Sequence, residues 1–204
     1  MGLWAIVPVK PLRRGKSRLA GVLSEEERTY LNYTMLANTL KILAAVKEID
    51  TVLVISRDTS ALALARDFNA HTVQEDGSSD LNIAIQRAAV VAMFSAAESI
   101  LILPADLLLI TPEIIQGFIQ RKGKAPALVI APDRRMDGTN AMLISPPDLL
   151  NYSYGLGSFT HHVEQALQAH ASVEICRIPE LALDLDLPED LDLLREMDGA
   201  GIHY

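Results

Sequence analysis

Short apolar runs alternate with amphipathic stretches along the whole chain, and few architectures accommodate that pattern. Apolar runs at 3–9, 51–56, 71–73, 99–103, 127–131, 140–145 and 172–178 predict strands. Between most of them lie stretches with helical spacing, predicted over 59–68, 80–97, 111–122 and 188–197. Two more helices are expected to start at serine caps, one from Ser24 to about Lys47 and one from Ser158 to about His170. Ser24 with Glu27 three residues on forms a capping-box signature, and Pro112 suits a first helical turn. Strands that alternate with helices in this way form a mainly parallel sheet covered on both faces. The expected fold class is therefore α/β, with residues 1–204 forming one domain. Ligands of such sheets sit beyond the carboxyl ends of the strands. Lys10, Asp106 and the polar loop at 133–140 all fall at such positions.

Three aspartates carry most of the chemical information. Asp106 follows the run Ser99-Ile-Leu-Ile-Leu-Pro-Ala, and Asp184 and Asp186 lie in Leu183-Asp-Leu-Asp-Leu-Pro188. A carboxylate behind an apolar strand is costly to desolvate unless a positive group pairs with it. In extended chain, alternate residues point to one side, so Asp184 and Asp186 can aim at a common point. Oxygen ligands from distant segments suit a hard cation such as Mg²⁺. Against this acidity stands the opening segment. The first 24 residues contain no acid but carry Lys10, Arg13, Arg14, Lys16 and Arg18. Clustered cations and a carboxylate set together suggest a nucleoside triphosphate bound with Mg²⁺.

Composition narrows the partners. The formal net charge is −8, which argues against nucleic acid, and the local basic segment fits a small polyanion better. No apolar run reaches the length of roughly 18 residues that a membrane span needs. The apolar start precedes its positive charges, the reverse of a signal peptide. A single cysteine, Cys176, excludes an intrachain disulfide and a cysteine metal cluster. These features lead us to expect a cytoplasmic protein, with a homodimer as one possible assembly.

The remaining motifs each admit two uses. Gly15-Lys16-Ser17 is not a P-loop, because Lys10 stands where that motif needs glycine. What remains is a basic loop after the first strand. Asp80 suits a helix N-cap, and the amide of Asn82 suits either a structural contact or a base edge. Thr139 and Asn140 offer a hydroxyl and an amide to an anion. Gly155 and Gly157 allow close backbone approach ahead of Ser158, where a helix start favours anions. His161 and His162 are neighbours on one helix and face differently, so one is expected to pack and one to be exposed.

Taken together, residues 4–19, 80–84, 103–106, 137–140, 155–159 and 184–188 resemble the 2-phospholactate/phosphoenolpyruvate guanylyltransferase family of deazaflavin coenzyme F-420 biosynthesis. The match spans nearly the whole chain in family order. The resemblance implies a Rossmann-like nucleotidyltransferase fold. It implies that Asp106, Asp184 and Asp186 hold Mg²⁺, with Asp106 and Lys16 catalytic. It further implies that Lys10 and Lys16 meet GTP phosphates and that Asn82 serves the nucleotide. Thr139, Gly155 and Ser158 would receive the phosphorylated three-carbon acid. The sequence departs from the family pattern at Asp80, where glycine is expected, and at Leu108, where proline is expected. A carboxylate at Asp80 has two uses, hydrogen bonding to guanine N–H groups or capping its helix. The rival enzyme class is a cytidylyl- or sugar-nucleotidyltransferase, whose first loop is usually rich in paired glycines; here Pro8-Val-Lys10 stands instead. A non-catalytic nucleotide-binding regulatory domain is the rival from outside enzymology.

Overall fold

Seven strands form one sheet in the computed structural model, which describes residues 2–76 and 80–198. They are β1 (Gly2–Val9), β2 (Thr51–Ser56), β3 (His71–Gln74), β4 (Ala97–Ile102), β5 (Ala127–Pro132), β6 (Thr139–Ser145) and β7 (Ser172–Ile175). Seven helices accompany them: α1 (Glu25–Ala45), α2 (Thr59–Asp67), α3 (Leu81–Phe94), α4 (Pro112–Ile119), α5 (Ser158–Gln168), α6 (Pro179–Ala182) and α7 (Pro188–Asp198). The sheet order is β3-β2-β1-β4-β6-β5-β7. All neighbours pair in parallel except β6, which runs antiparallel to both β4 and β5.

Strand periodicity divides the core in two. Ala5 and Val7 of β1 face one side, together with Val54, Leu101, Val129 and Leu143, and meet α1, α2 and α4. Trp4 and Ile6 face the other side with Ile55, Ile100, Ile130 and Met142, and meet α3 and α5. Both faces of the sheet are covered, so strand residues on either side are apolar.

The order of strands reverses at β1. From β1 the chain steps outward through β2 to β3, then returns to place β4 on the opposite side of β1. That reversal opens a crevice at the carboxyl ends of β1 and β4. The inverted β6 adds a second wall. Because it runs against β4, its first residues lie beside the carboxyl end of β4, with Ile102 opposite Met142. Thr139 and Asn140 therefore reach the same crevice as the segment that follows β4.

Several predicted boundaries move. The helix expected over 80–97 ends at Phe94, because Ala96 turns left-handed (φ 60°) and β4 starts at Ala97. The strand expected over 172–178 stops at Ile175, and Pro179, which lacks an N–H, opens the short α6 instead. The helix expected over 111–122 spans Pro112–Ile119, with Thr111 as its cap. The Ser24 capping box forms as expected, with both reciprocal bonds present. Ser158 is not a cap: Gly157 holds that position with φ 71°, and Ser158 is the first helical residue.

One carboxylate ties the basic loop to the sheet. Asp58 caps α2 by accepting from Ser60 N at 2.8 Å, and its other oxygen accepts from Leu12 N at 2.8 Å. Asp58→Ala is expected to lose both bonds and about 1–2 kcal/mol of stability. Urea denaturation followed by circular dichroism measures this, and an unchanged midpoint would show that the loop is held by other contacts.

Candidate active site

A cavity of about 260 Å³ opens at the crevice, walled by the loop after β1, the segment after β4, the start of β6 and the 184–186 segment. A small separate apolar cluster lies beneath its acidic end. Leu19, Met35 and Leu185 pack together there, each less than 4% exposed. They come from the short 3-10 turn Ser17–Leu19, from α1 and from the 184–186 segment. Burying Leu185 turns Asp184 and Asp186 the other way, as alternation in extended chain requires. The backbone then laces this segment to the one after β4: Leu107 bridges Asp184 and Leu185 N donates to Asp106 O at 3.2 Å. Two acidic segments far apart in sequence thus lie side by side.

Lys16 stands between them. Its Nζ donates to Asp106 Oδ2 at 2.6 Å and to Asp186 Oδ1 at 2.9 Å. The side chain is only 5% exposed, so this lysine is a fixed charge and not the mobile one that a basic loop suggests. Its backbone is left-handed, φ 55° and ψ 36°, a conformation that costs a non-glycine residue about 1 kcal/mol or more. The preceding Gly15 cannot be replaced without strain, because an added Cβ would lie 2.5 Å from the buried Asn32 amide. That amide donates to Leu12 O at 2.7 Å and holds the loop in shape.

The electrostatics follow from this arrangement. Burial lowers the Lys16 affinity for its proton, but Asp106 and Asp186 outweigh it and hold the ammonium above its ordinary pKa. Burial pushes Asp186 up, but Lys16 beside it, with Lys10 and Arg18 nearby, brings it below the usual carboxylate value. Asp184 has no such cation. Burial, then the charges of Asp106 and Asp186, raise it, and the Asn140 amide at 3.4 Å only softens this. Asp106 Oδ1 is buried with no hydrogen-bond partner.

The remaining predicted site residues separate into two groups. Lys10 is exposed and lines the cavity, which Asp80, Thr139, Asn140 and Tyr154 line as well. Asn82 does not line it; its amide clasps the Tyr154 backbone, accepting from Tyr154 N at 2.6 Å and donating to Tyr154 O at 3.2 Å. Asp80 caps α3, with one oxygen accepting from Asn82 N and Ile83 N. The Asn140 amide turns inward to Leu181 O at 3.0 Å. Gly155 has φ 132°, which favours glycine, and lies outside the cavity wall. Ser158 is buried behind Thr139, its Oγ donating to Thr139 Oγ1 at 3.3 Å. Among the described residues no group of three acidic, histidine or cysteine side chains stands ready to hold a metal.

The chain matches the model of the family described as "Guanylyl transferase CofC like" over residues 3–203. It belongs to that family. A phosphoenolpyruvate guanylyltransferase of Rubrobacter xylanophilus is 40% identical over 204 residues, covering 100% of this chain and 98% of the relative. A 2-phospho-L-lactate guanylyltransferase of Methanocaldococcus vulcanius is 36% identical over 189 residues, covering 91% and 81%. Among solved structures, a nucleotidyl transferase from Methanothermobacter thermautotrophicus superposes with a TM-score of 0.72 at 14% identity, covering 98% of this chain and 99% of that one. At that identity the likeness shows the nucleotidyltransferase fold alone. No helix among the described residues is long and apolar enough to cross a bilayer.

Three contributors to the site were not visible as such in the sequence. Asn32 shapes the Lys16 loop, and Asp190 accepts from Asp186 N and Leu187 N while pairing with Arg134. His162, expected only as a packing or exposed histidine, is fully buried against Thr139 at 3.0 Å. The spacing Asp186 to Asp190 at a helix start was a signal available for the second.

Asp184 supplies a test of these electrostatics. A carboxyl whose folded pKa is raised weakens the fold once it ionises. The penalty is absent below the unfolded value of 3.8 and complete above the folded value. Asp184→Asn should therefore be more stable than the parent protein at about pH 7, with the gap closing toward about pH 4. Thermal unfolding across that range measures it, and a variant less stable at neutral pH contradicts the charge crowding described.

Proposed function

We propose that this chain transfers the guanylyl group of GTP to phosphoenolpyruvate and releases pyrophosphate, as a step in making coenzyme F-420. The observation that carries the reading is the crevice at the ends of β1 and β4. There a fixed lysine and an exposed one, Lys16 and Lys10, meet three carboxylates in a chain of the guanylyltransferase family. The relatives named for phosphoenolpyruvate include one at 40% identity along the full chain, which favours that acid over 2-phospho-L-lactate.

The carboxylates fit Mg²⁺ by two marks. Asp106 Oδ1 is buried without a partner, and burial with the charges of Asp106 and Asp186 raises the pKa of Asp184. Both indicate oxygen donors short of positive charge, the chemistry a hard cation supplies. Asp106, Asp184 and Asp186 would hold it. When bound, the ion neutralises charge on phosphate oxygens and clamps the attacking and leaving groups. The Lys16 ammonium occupies part of the same oxygen set, so lysine and cation compete for Asp106 and Asp186.

The chain's own residues do the rest. Lys10, Lys16 and the exposed Arg18 draw the triphosphate to the mouth, and Lys16 meets its phosphates at the acidic end. The Thr139 hydroxyl, with Ser158 behind it, receives the phosphorylated acid. A phosphate oxygen of that acid attacks the α-phosphorus, forming a new P–O bond. The bond from that phosphorus to the bridging oxygen breaks, and the electron pair leaves with pyrophosphate. The attacking oxygen is already ionised at neutral pH, so no general base is needed. His162, buried and with both ring nitrogens engaged, is not called on as one.

Pyrophosphate release from GTP with phosphoenolpyruvate, and separately with 2-phospho-L-lactate, tests the reading. Release with phosphoenolpyruvate is expected. Turnover of CTP, or of a sugar phosphate in place of either acid, would move the protein to the cytidylyl- or sugar-nucleotidyltransferase class. Asp106→Asn should fold, by circular dichroism, and lose about 10²-fold or more in activity. Calorimetric titration with Mg²⁺ gives a readout independent of turnover: the variant should bind more weakly. Equal Mg²⁺ affinity would remove Asp106 from the ligand set.

A further inference from the structure

His162 lies in the second turn of α5 with none of its surface exposed. Its two nitrogens are engaged differently. Ser153 N–H donates to Nε2 at 3.2 Å, so Nε2 carries no proton. In the neutral ring the proton is then on Nδ1, which lies 3.0 Å from Thr139 Oγ1. Ser158 Oγ donates to that same oxygen at 3.3 Å. A hydroxyl oxygen has two lone pairs, and these two donors take both. The Thr139 proton must therefore point elsewhere, and Thr139 forms part of the cavity wall.

We propose that His162 is a positioning residue: its Nδ1–H makes the Thr139 hydroxyl an obligate donor toward an anionic oxygen in the crevice. The rest of the ring's surroundings supports this. The edge of the imidazole meets the Tyr154 ring, centroids 5.1 Å apart, and Tyr154 is itself clasped by Asn82. The ring is thus oriented from α5, β6 and the 152–154 loop together. Burial, with a smaller effect from His161, pulls its pKa down to about 4, so it stays neutral over the range in which the enzyme would work. A threonine without this backing can rotate its hydroxyl to accept or donate. Here only donation is left, which matches a carboxylate or phosphate and rejects a ligand that offers a donor. The identity of that anion, the phosphorylated acid, rests on the functional reading above; the tautomer does not.

Three substitutions separate positioning from mere packing. His162→Phe fills the space and makes neither bond. His162→Gln can reach the ε position toward Ser153 but offers nothing at δ. His162→Asn keeps a donor near the δ position. For His162→Phe and His162→Gln we expect the KM for phosphoenolpyruvate to rise about tenfold or more, with the KM for GTP within about twofold. His162→Asn should recover most of that loss. If Gln and Asn are equally impaired, or if the GTP KM rises in step with the acid's, His162 acts through packing and the proposal fails. Long-range ¹H–¹⁵N NMR of the parent protein adds a readout free of substrate. A protonated Nδ1 and bare Nε2 are expected at neutral pH, and a protonated Nε2 overturns the proposal whatever the enzyme turns over. If GTP is consumed with neither acid, the functional reading falls, and the NMR result still decides the tautomer.

Discussion

A buried ammonium between two carboxylates organises this protein's crevice. Lys16 joins the loop after β1 to the segment after β4 and to the 184–186 segment, stretches also held by backbone bonds and by the small apolar cluster under them. Removing the Lys16 charge would leave two partly buried carboxylates close together without their cation. The left-handed backbone at Lys16 is part of the same constraint. It aims the side chain inward, where an ordinary loop lysine would extend into solvent.

The acidic protein as a whole and the basic loop have separate duties. A net charge of −8 repels polyanions at a distance, while exposed Lys10 lines the crevice and exposed Arg18 lies 3.8 Å from Asp186. Local cations near a cleft raise the concentration of small anions there without attracting a long duplex. The crevice holds more negative charge than the lysines offset, since Asp184 remains crowded and Asp106 keeps an oxygen without a partner. Charge is therefore matched at the mouth and deficient at the floor.

The fold was legible in the sequence because strand and helix periods differ so clearly. The runs that β1, β2 and β5 became are apolar on both faces, as strands covered on both sides must be. The antiparallel insertion of β6 was not legible, because a strand's direction is set by the neighbours it finds and not by its own residues. Single polar residues were the harder case. Asn82 and Asn140 look like ligand groups in sequence, yet each amide takes backbone or carboxylate partners, since a buried amide left unpaired is costly. Ser158 looked like a cap until Gly157, free to turn left-handed, took that place and released its hydroxyl toward Thr139. The pairing of Asp184 with Asp186 on one side was readable because alternation in extended chain needs no tertiary information. His162 was not, since its partners lie 9 and 23 residues away.

The inverted strand also affects how such a protein can diversify. The hairpin between β5 and β6 bonds both within itself and outward: Asp133 accepts from Arg135 N and Asp137 N, while Arg134 N donates to Ala182 O and Phe159 N donates to Asp137 O. Its base sits at the crevice, next to Thr139, while Met136 at its tip is exposed. A hairpin tip can lengthen, shorten or change sequence without disturbing the ladder on either side of it. Here that freedom is confined to the tip around Met136, because Arg134 pairs with Asp190 and Asp137 O accepts from Phe159 N. The acidic floor has no comparable freedom, because its three segments lock one another in place. Tolerance of change at the tip and constraint at the floor are thereby assigned to different stretches of chain.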